Sequence, residues 1–194
     1  MSAHALVLDT IKQEHRVLGH VVEVLRHSLR DIAAEHSEPD FNLLAAVLYY
    51  IDDFPERLHH PKEEEYLFEP LRARTKDFDD VLDALQHEHV RSAAMVRGLH
   101  AGLVHYLAGA HGALKTLIDR MEAYAAMLRE HMRSEEDLLA RAGACMSESE
   151  WQAILAAFAA NEDPLLAADV RAEFRNLYRR IQMLLPRKLR YPAR

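Results

Sequence analysis

Two histidine–carboxylate pairs stand out in this chain. His59 and Glu63, and again His131 and Glu135, lie four residues apart. At that spacing an imidazole and a carboxylate share one face of an α-helix, one turn apart. His15 and His89 stand on two further segments without such a partner. Imidazole with carboxylate suits iron, manganese or zinc, and not copper(I), which prefers sulfur. The single cysteine, Cys145, excludes both a thiolate cluster and an internal disulfide. Four imidazoles and two carboxylates suit two ions. Each ion takes two imidazoles, both carboxylates bridge, and positions stay open for a small molecule.

Helices must position these groups, because the apolar residues recur at helical spacing throughout. The first segment reads Leu8, Ile11, His15, Leu18, Val22, Leu25, Leu29, Ile32. The third reads Phe78, Leu82, Leu85, His89, Ser92, Val96, Leu99, Leu103, and the fourth Leu117, Met121, Tyr124, Leu128, His131, Glu135, Leu138. In all three, ligand-type residues occupy places where the pattern demands a buried apolar group. The second segment, about 40–74, is ambiguous. Pro55 and Pro61 should bend or loosen it. Its stripe can pass through His59, Glu63 and Tyr66 or through His60, Glu64 and Leu67, and periodicity does not choose. A weak repeat relates the halves: Glu14-His15 and Glu88-His89 precede the two H-x-x-x-E pairs.

These readings predict an all-α fold, an up-down antiparallel four-helix bundle over 1–143, with additional C-terminal helices in 144–194. Ser37 to Asp40 separates helices one and two, Thr75 or Asp77 caps helix three, Gly109 to Gly112 separates three and four, and Gly143 ends four. A short helix follows through Trp151, Ile154, Leu155 and Phe158, then a break at 161–168 and a last helix from about Asp169 to Leu185. Short connections make neighbouring helices antiparallel. Counted from one shared end, all six candidate ligands then lie roughly 12–22 Å deep, at a similar height. Unrelated surface histidines have no reason to share a level.

The chain holds 13 histidines, so most must be ordinary. His27, His36, His100, His105 and His111 are expected at the surface or at helix ends, and His4 near a frayed terminus. His60 and His87 rival the chosen ligands, although His87 faces nearly opposite to His89. His20 and Tyr124 lie within two turns of proposed ligands; core packing is the expectation for Tyr124. A net charge of −7 lacks the footprint of a nucleic-acid binder, and the basic end at Arg187, Lys188, Arg190 and Arg194 reads as a solvated tail. The longest apolar run, Leu43 to Ile51, is too short to span a bilayer. With one cysteine and no signal peptide, the expected location is cytoplasmic. Neither a nucleic-acid nor a membrane partner is expected. Residues 144–194 are read as a cap on the bundle or a homodimer face.

The stretches KQEHRVLGHVVEVL, LHHPKEEEYLFEPL, QHEHVRSAAMVRGL and REHMRSEEDLLARA resemble the hemerythrin/HHE cation-binding family over about residues 5–143. Alignment on Lys62 and EEEYLF selects His59 and Glu63 over His60 and Glu64. The resemblance implies a centre of two iron ions, with manganese or zinc as substitutes, held by His15, His59, Glu63, His89, His131 and Glu135. It implies binding or sensing of a small oxidant, dioxygen, nitric oxide or peroxide, in a stress response. The alternatives are an oxidoreductase consuming peroxide or nitric oxide, and an iron-storage or repair protein. A binding or sensing role ranks above a dedicated enzyme, because no separate acid–base pair can be identified. Oxygen-carrying hemerythrins have a second histidine one turn along helix three, where this chain has Ala93, and an aspartate where it has Glu136. The pattern is closer to bacterial HHE proteins. The tail from Trp151 onward looks like extensions that follow the domain in bacterial members. A ferritin-like centre needs two Glu-x-x-His pairs, and only Glu56 and His59 supply one.

Overall fold

A computed structural model of the chain describes residues 1–159 together with Arg179 and Met183. The described residues are helical with short connections and contain no strand. Helix α1 spans Ala3–Ala33, α2 covers 41–74, α3 spans Asp79–Leu107, α4 spans Ala113–Ala142 and α5 spans Glu148–Ala159. The break expected at 161–168 and most of the expected last helix lie outside the described residues; Arg179 and Met183 are helical.

Local chemistry sets the ends. Ser2 Oγ accepts from the Ala5 backbone N–H at 3.3 Å, and Asp40 Oδ1 from Leu43 at 2.9 Å, each filling an orphan donor of a first turn. Helix α3 starts later than the Thr75 or Asp77 cap predicts. Thr75 Oγ1 accepts from Asp77 N–H in a turn, and the helix opens after Phe78 without a side-chain cap. Gly109 and Gly112 both take left-handed backbone, with φ of 69° and 71°, which turns the chain from α3 into α4.

Helix α2 does not break at its prolines. α-Helical Phe41–Phe54, His60–Lys62 and Glu69–Arg74 alternate with π-helical Pro55–His59 and Glu63–Phe68. Proline lacks the N–H for an ordinary turn, and its ring crowds the carbonyl four residues back. The wider turn relieves that crowding, and His60 N–H reaches back five residues to Pro55 O. Buried positions consequently advance in steps of four, through Ile51, Pro55, His59, Glu63, Leu67 and Leu71. A regular α-helix would drift about 40° at each such step.

Helix α1 packs on α2 and α4, and α3 packs on α2 and α4. Contacts of α4 with α1 and with α3 run in opposite chain directions, Glu88 meeting His131 on the α3 side. His4 meets Leu139 while Arg26 and Arg30 meet Glu122, and Gly102 meets Leu117. The apolar core is divided in two. One part holds Val17 to Ile32 of α1, Leu43 to Phe54 of α2, Val96 to Leu103 of α3 and Leu117 to Leu128 of α4. The other holds Ala3, Val7 and Ile11 with Leu67 to Leu71, Phe78 to Leu85, Leu138 to Ala142 and Trp151 of α5. His15, His59, Glu63, His89, His131 and Glu135 fall between the two on every helix.

The N-terminus is anchored rather than frayed. The His4 ring hydrogen-bonds Leu139 O at 2.9 Å and lies 4.5 Å from the Trp151 ring, while Ala3 N–H donates to Glu148 Oε1. A Cβ at Gly143 would stand 2.7 Å from His4 Cε1, so the glycine there makes room for an imidazole. Helix α5 packs on α1 and on the Glu63–Phe68 turn, where Lys62 Nζ donates to Ala157 O. Among the described residues no helix is long and apolar enough to cross a membrane.

Candidate metal centre

Four helices send buried imidazoles and carboxylates into the layer between the two apolar cores. Their donor atoms form two groups, each able to hold a cation, with all donors of a group within 4.8 Å of one another. One group is His15, His59, Glu63 and Glu135; the other is His60, Glu63, His89 and His131. Glu63 belongs to both. Its Oε1 lies 2.6 Å from His59 Nε2 and its Oε2 lies 3.3 Å from His89 Nε2. Glu135 Oε2 lies 3.1 Å from His15 Nε2.

All six sequence-predicted residues therefore meet at one place, with His60 beside them. In a regular helix adjacent residues point about 100° apart. The π-turn ending at His59 lets both rings face inward, and His60 stacks on His89 with centroids 4.1 Å apart. Glu135 belongs to the first group and Glu63 to both. Glu64 turns outward.

The electrostatics are those of a cation site. Both oxygens of Glu63 and of Glu135 are fully buried, with imidazole nitrogens at 2.6–3.3 Å as their polar neighbours. Burying ionised carboxylates this way is expensive unless positive charge compensates. Burial alone would lower the His15 pKa, but Glu135 and Glu136 lift it to about 9. His59 is likewise raised against burial, by Glu63 and Glu14. Burial would raise Glu63, yet the charges of His59 and His89 hold it well below the carboxylate range. Glu135 is pushed up to about 7 by burial and by the Glu63 charge. Burial drives His60 well down and His131 down to about 2, so both rings stay neutral with lone pairs available. Without a metal, protons on His15 and His59 supply part of the positive charge the carboxylates require.

Carboxylates also stand behind the rings. The Nδ1–H of His59 donates to Glu14 at 2.7 Å, that of His89 to Glu64 at 2.7 Å, that of His131 to Glu88 at 3.0 Å and that of His15 to Glu136 at 3.1 Å. Such a partner fixes the tautomer and turns Nε2 toward the centre. Glu56 Oε2 lies 3.6 Å from His60 Nδ1, and Glu56 accepts a short hydrogen bond from Ser92. These glutamates escaped the sequence reading because acids on a charged helix are commonplace, although Glu14 is itself buried. The one available signal was an acid directly beside four of the six candidate ligands: Glu14 beside His15, Glu64 beside Glu63, Glu88 beside His89 and Glu136 beside Glu135.

Phe54, Phe68 and Phe158 pack around the histidine rings, the last from α5. Tyr124 is a buried core residue, as expected. His87 is exposed and bonds Asp83 O of its own helix. His27, His36, His105 and His111 are exposed, and His100 is half-buried. A groove of about 500 Å³ between α1 and α4, lined in part by Lys12, Arg16, His20, Arg129 and Met132, reaches His15.

The family description "hemerythrin HHE cation binding domain" matches residues 6–142. No curated protein and no solved structure matches the chain. With most of its length matched and a buried histidine–glutamate layer able to hold cations, the chain belongs to the hemerythrin HHE cation-binding domain family.

Proposed function

We propose that this chain is a di-iron protein that binds or senses a small oxidant, dioxygen, nitric oxide or peroxide. The observation that carries the reading is Glu63: a fully buried carboxylate flanked by imidazole nitrogens and shared by two four-donor groups. One ion is held by His15, His59, Glu63 and Glu135, and the other by His60, Glu63, His89 and His131. Four protein donors per ion leave positions open for a small ligand. Bound iron supplies the redox chemistry; the protein supplies neutral, oriented imidazoles and a bridging charge. The phenylalanine walls exclude bulk water, and the groove at His15 is the route inward.

The frame for this centre is the up-and-down four-helix bundle of residues 1–143, which the antiparallel pairings support. Helix α5, in the 144–194 extension, caps the layer through Phe158. The protein acts in the cytoplasm without nucleic-acid or membrane partners. A second reading, catalytic consumption of peroxide or nitric oxide, draws support from the groove, which is larger than a diatomic ligand needs.

Elemental analysis of protein purified without chelators, with optical spectra before and after reduction, tests the reading. The expected result is two ions per chain and a spectrum that changes on reduction. His59→Ala and His131→Ala should lower metal content sharply, and His36→Ala should not. Metal-free protein, or equal loss in all three variants, overturns it.

A further inference from the structure

The four glutamates behind the rings share a connectivity that pairwise contacts do not require. Glu14 of α1 holds His59 of α2, and Glu64 of α2 holds His89 of α3. Glu88 of α3 holds His131 of α4, and Glu136 of α4 holds His15 of α1. Each helix gives one carboxylate to the next, and the fourth returns to the first. Glu14 and Glu88 each stand beside a histidine in sequence, and each supports a different one on the next helix. Glu130 shows that adjacency alone is not enough: it precedes His131 but pairs with Arg133, and its side chain is 61% exposed.

We propose that Glu14, Glu64, Glu88 and Glu136 form a closed ring of positioning residues. Each fixes the tautomer and orientation of a metal-facing histidine on the following helix. Any one bond orients a single imidazole; the closed circuit ties that orientation to the seating of all four helices. The centre then has its geometry only when every neighbouring pair is docked. The inference rests on the cation-site reading for what the rings hold, and on the hydrogen bonds alone for how they are held.

The test uses the full chain with ¹⁵N-labelled histidine and four single variants, Glu14→Ala, Glu64→Ala, Glu88→Ala and Glu136→Ala. Glu130→Ala is the control. Hydrogen-bonded Nδ1–H resonances of His59, His89, His131 and His15 are read in metal-free and zinc-loaded protein. Zinc and iron(II) affinities are read by competition with a chromophoric chelator. Each variant should abolish the resonance of its cross-helix partner and leave the other three unchanged: Glu88→Ala silences His131 and spares His89. Affinity should fall roughly 10–100-fold in each ring variant and stay level in the control. Glutamine at the same positions, which keeps an acceptor, should restore the resonance and part of the affinity. The ring is overturned if a different histidine responds instead, if no resonance changes, or if affinity holds while the resonance is lost. A chain that shows all four resonances and binds no metal keeps the hydrogen-bonded ring, removes its role in holding a metal, and sinks the di-iron reading. If an alanine variant does not fold, its glutamine counterpart must show an altered resonance at the same cross-helix partner, or the ring fails there.

Discussion

Replacing Glu135 by Gln should stabilise the metal-free protein while weakening its hold on metal. Burial and the neighbouring Glu63 charge raise the Glu135 carboxyl from 4.5 to about 7. Because the folded pKa lies above the unfolded one, the ionised group opposes folding above pH 4.5. That penalty reaches about 3 kcal/mol at pH 7 and fades as the pH falls toward 4.5. Glutamine keeps the shape and the reach to His15 Nε2 but carries no charge. The variant also loses the charge that lifts His15 to about 9, which returns part of this gain, so metal-free Glu135→Gln should be more stable at pH 7 by less than about 3 kcal/mol, or less than roughly 6–12 °C in Tm for a chain this size. The advantage over the parent should shrink between pH 7 and pH 5. With metal added the order should reverse, since the parent keeps a charged ligand that binds only the folded state. Thermal unfolding by circular dichroism, with and without chelator, reads both arms. A metal-free variant no more stable than the parent, or an advantage that ignores pH, would refute the claim that burying Glu135 costs more than its pairing with His15 returns.

Three further outcomes follow from the same geometry. Glu63→Gln should lose both ions, whereas Glu135→Gln should retain at least one, because only Glu63 belongs to both groups; metal-to-protein ratios after gel filtration decide between them. Metal uptake at pH 7 should release protons, because His15, raised to about 9, must give up its proton to ligate. Affinity should climb as pH rises from 7 toward 9, and calorimetry in buffers of different ionisation enthalpy counts the protons. Gly143→Ala should push the His4 ring off Leu139 and Trp151, since its Cβ would lie 2.7 Å from that ring. A loss of about 1–3 kcal/mol in denaturant unfolding, with altered Trp151 fluorescence, is expected.

The local spacing of residues already determined much of this protein. On α1, α3 and α4 the apolar stripe is a regular helical one, so His15, His89, His131 and Glu135 could be placed on buried faces without coordinates. The absence of thiolates and the donor types narrowed the chemistry to imidazole and carboxylate. Helix α2 resisted because two widened turns change its period, and the stripe advances by four residues where an α-helix would drift away. That change, invisible to a fixed periodicity, brings His60 in beside His59. Gly143 ends its helix as read, but His4 was misread, because the space that seats its ring is provided by that glycine more than a hundred residues away. The glutamates behind the rings were hidden for the same reason: each serves a histidine on another helix. A chain writes its own periodicity into its sequence, but which donor meets which ring across a helix pair depends on depth and rotation, and those are settled only when the helices pack.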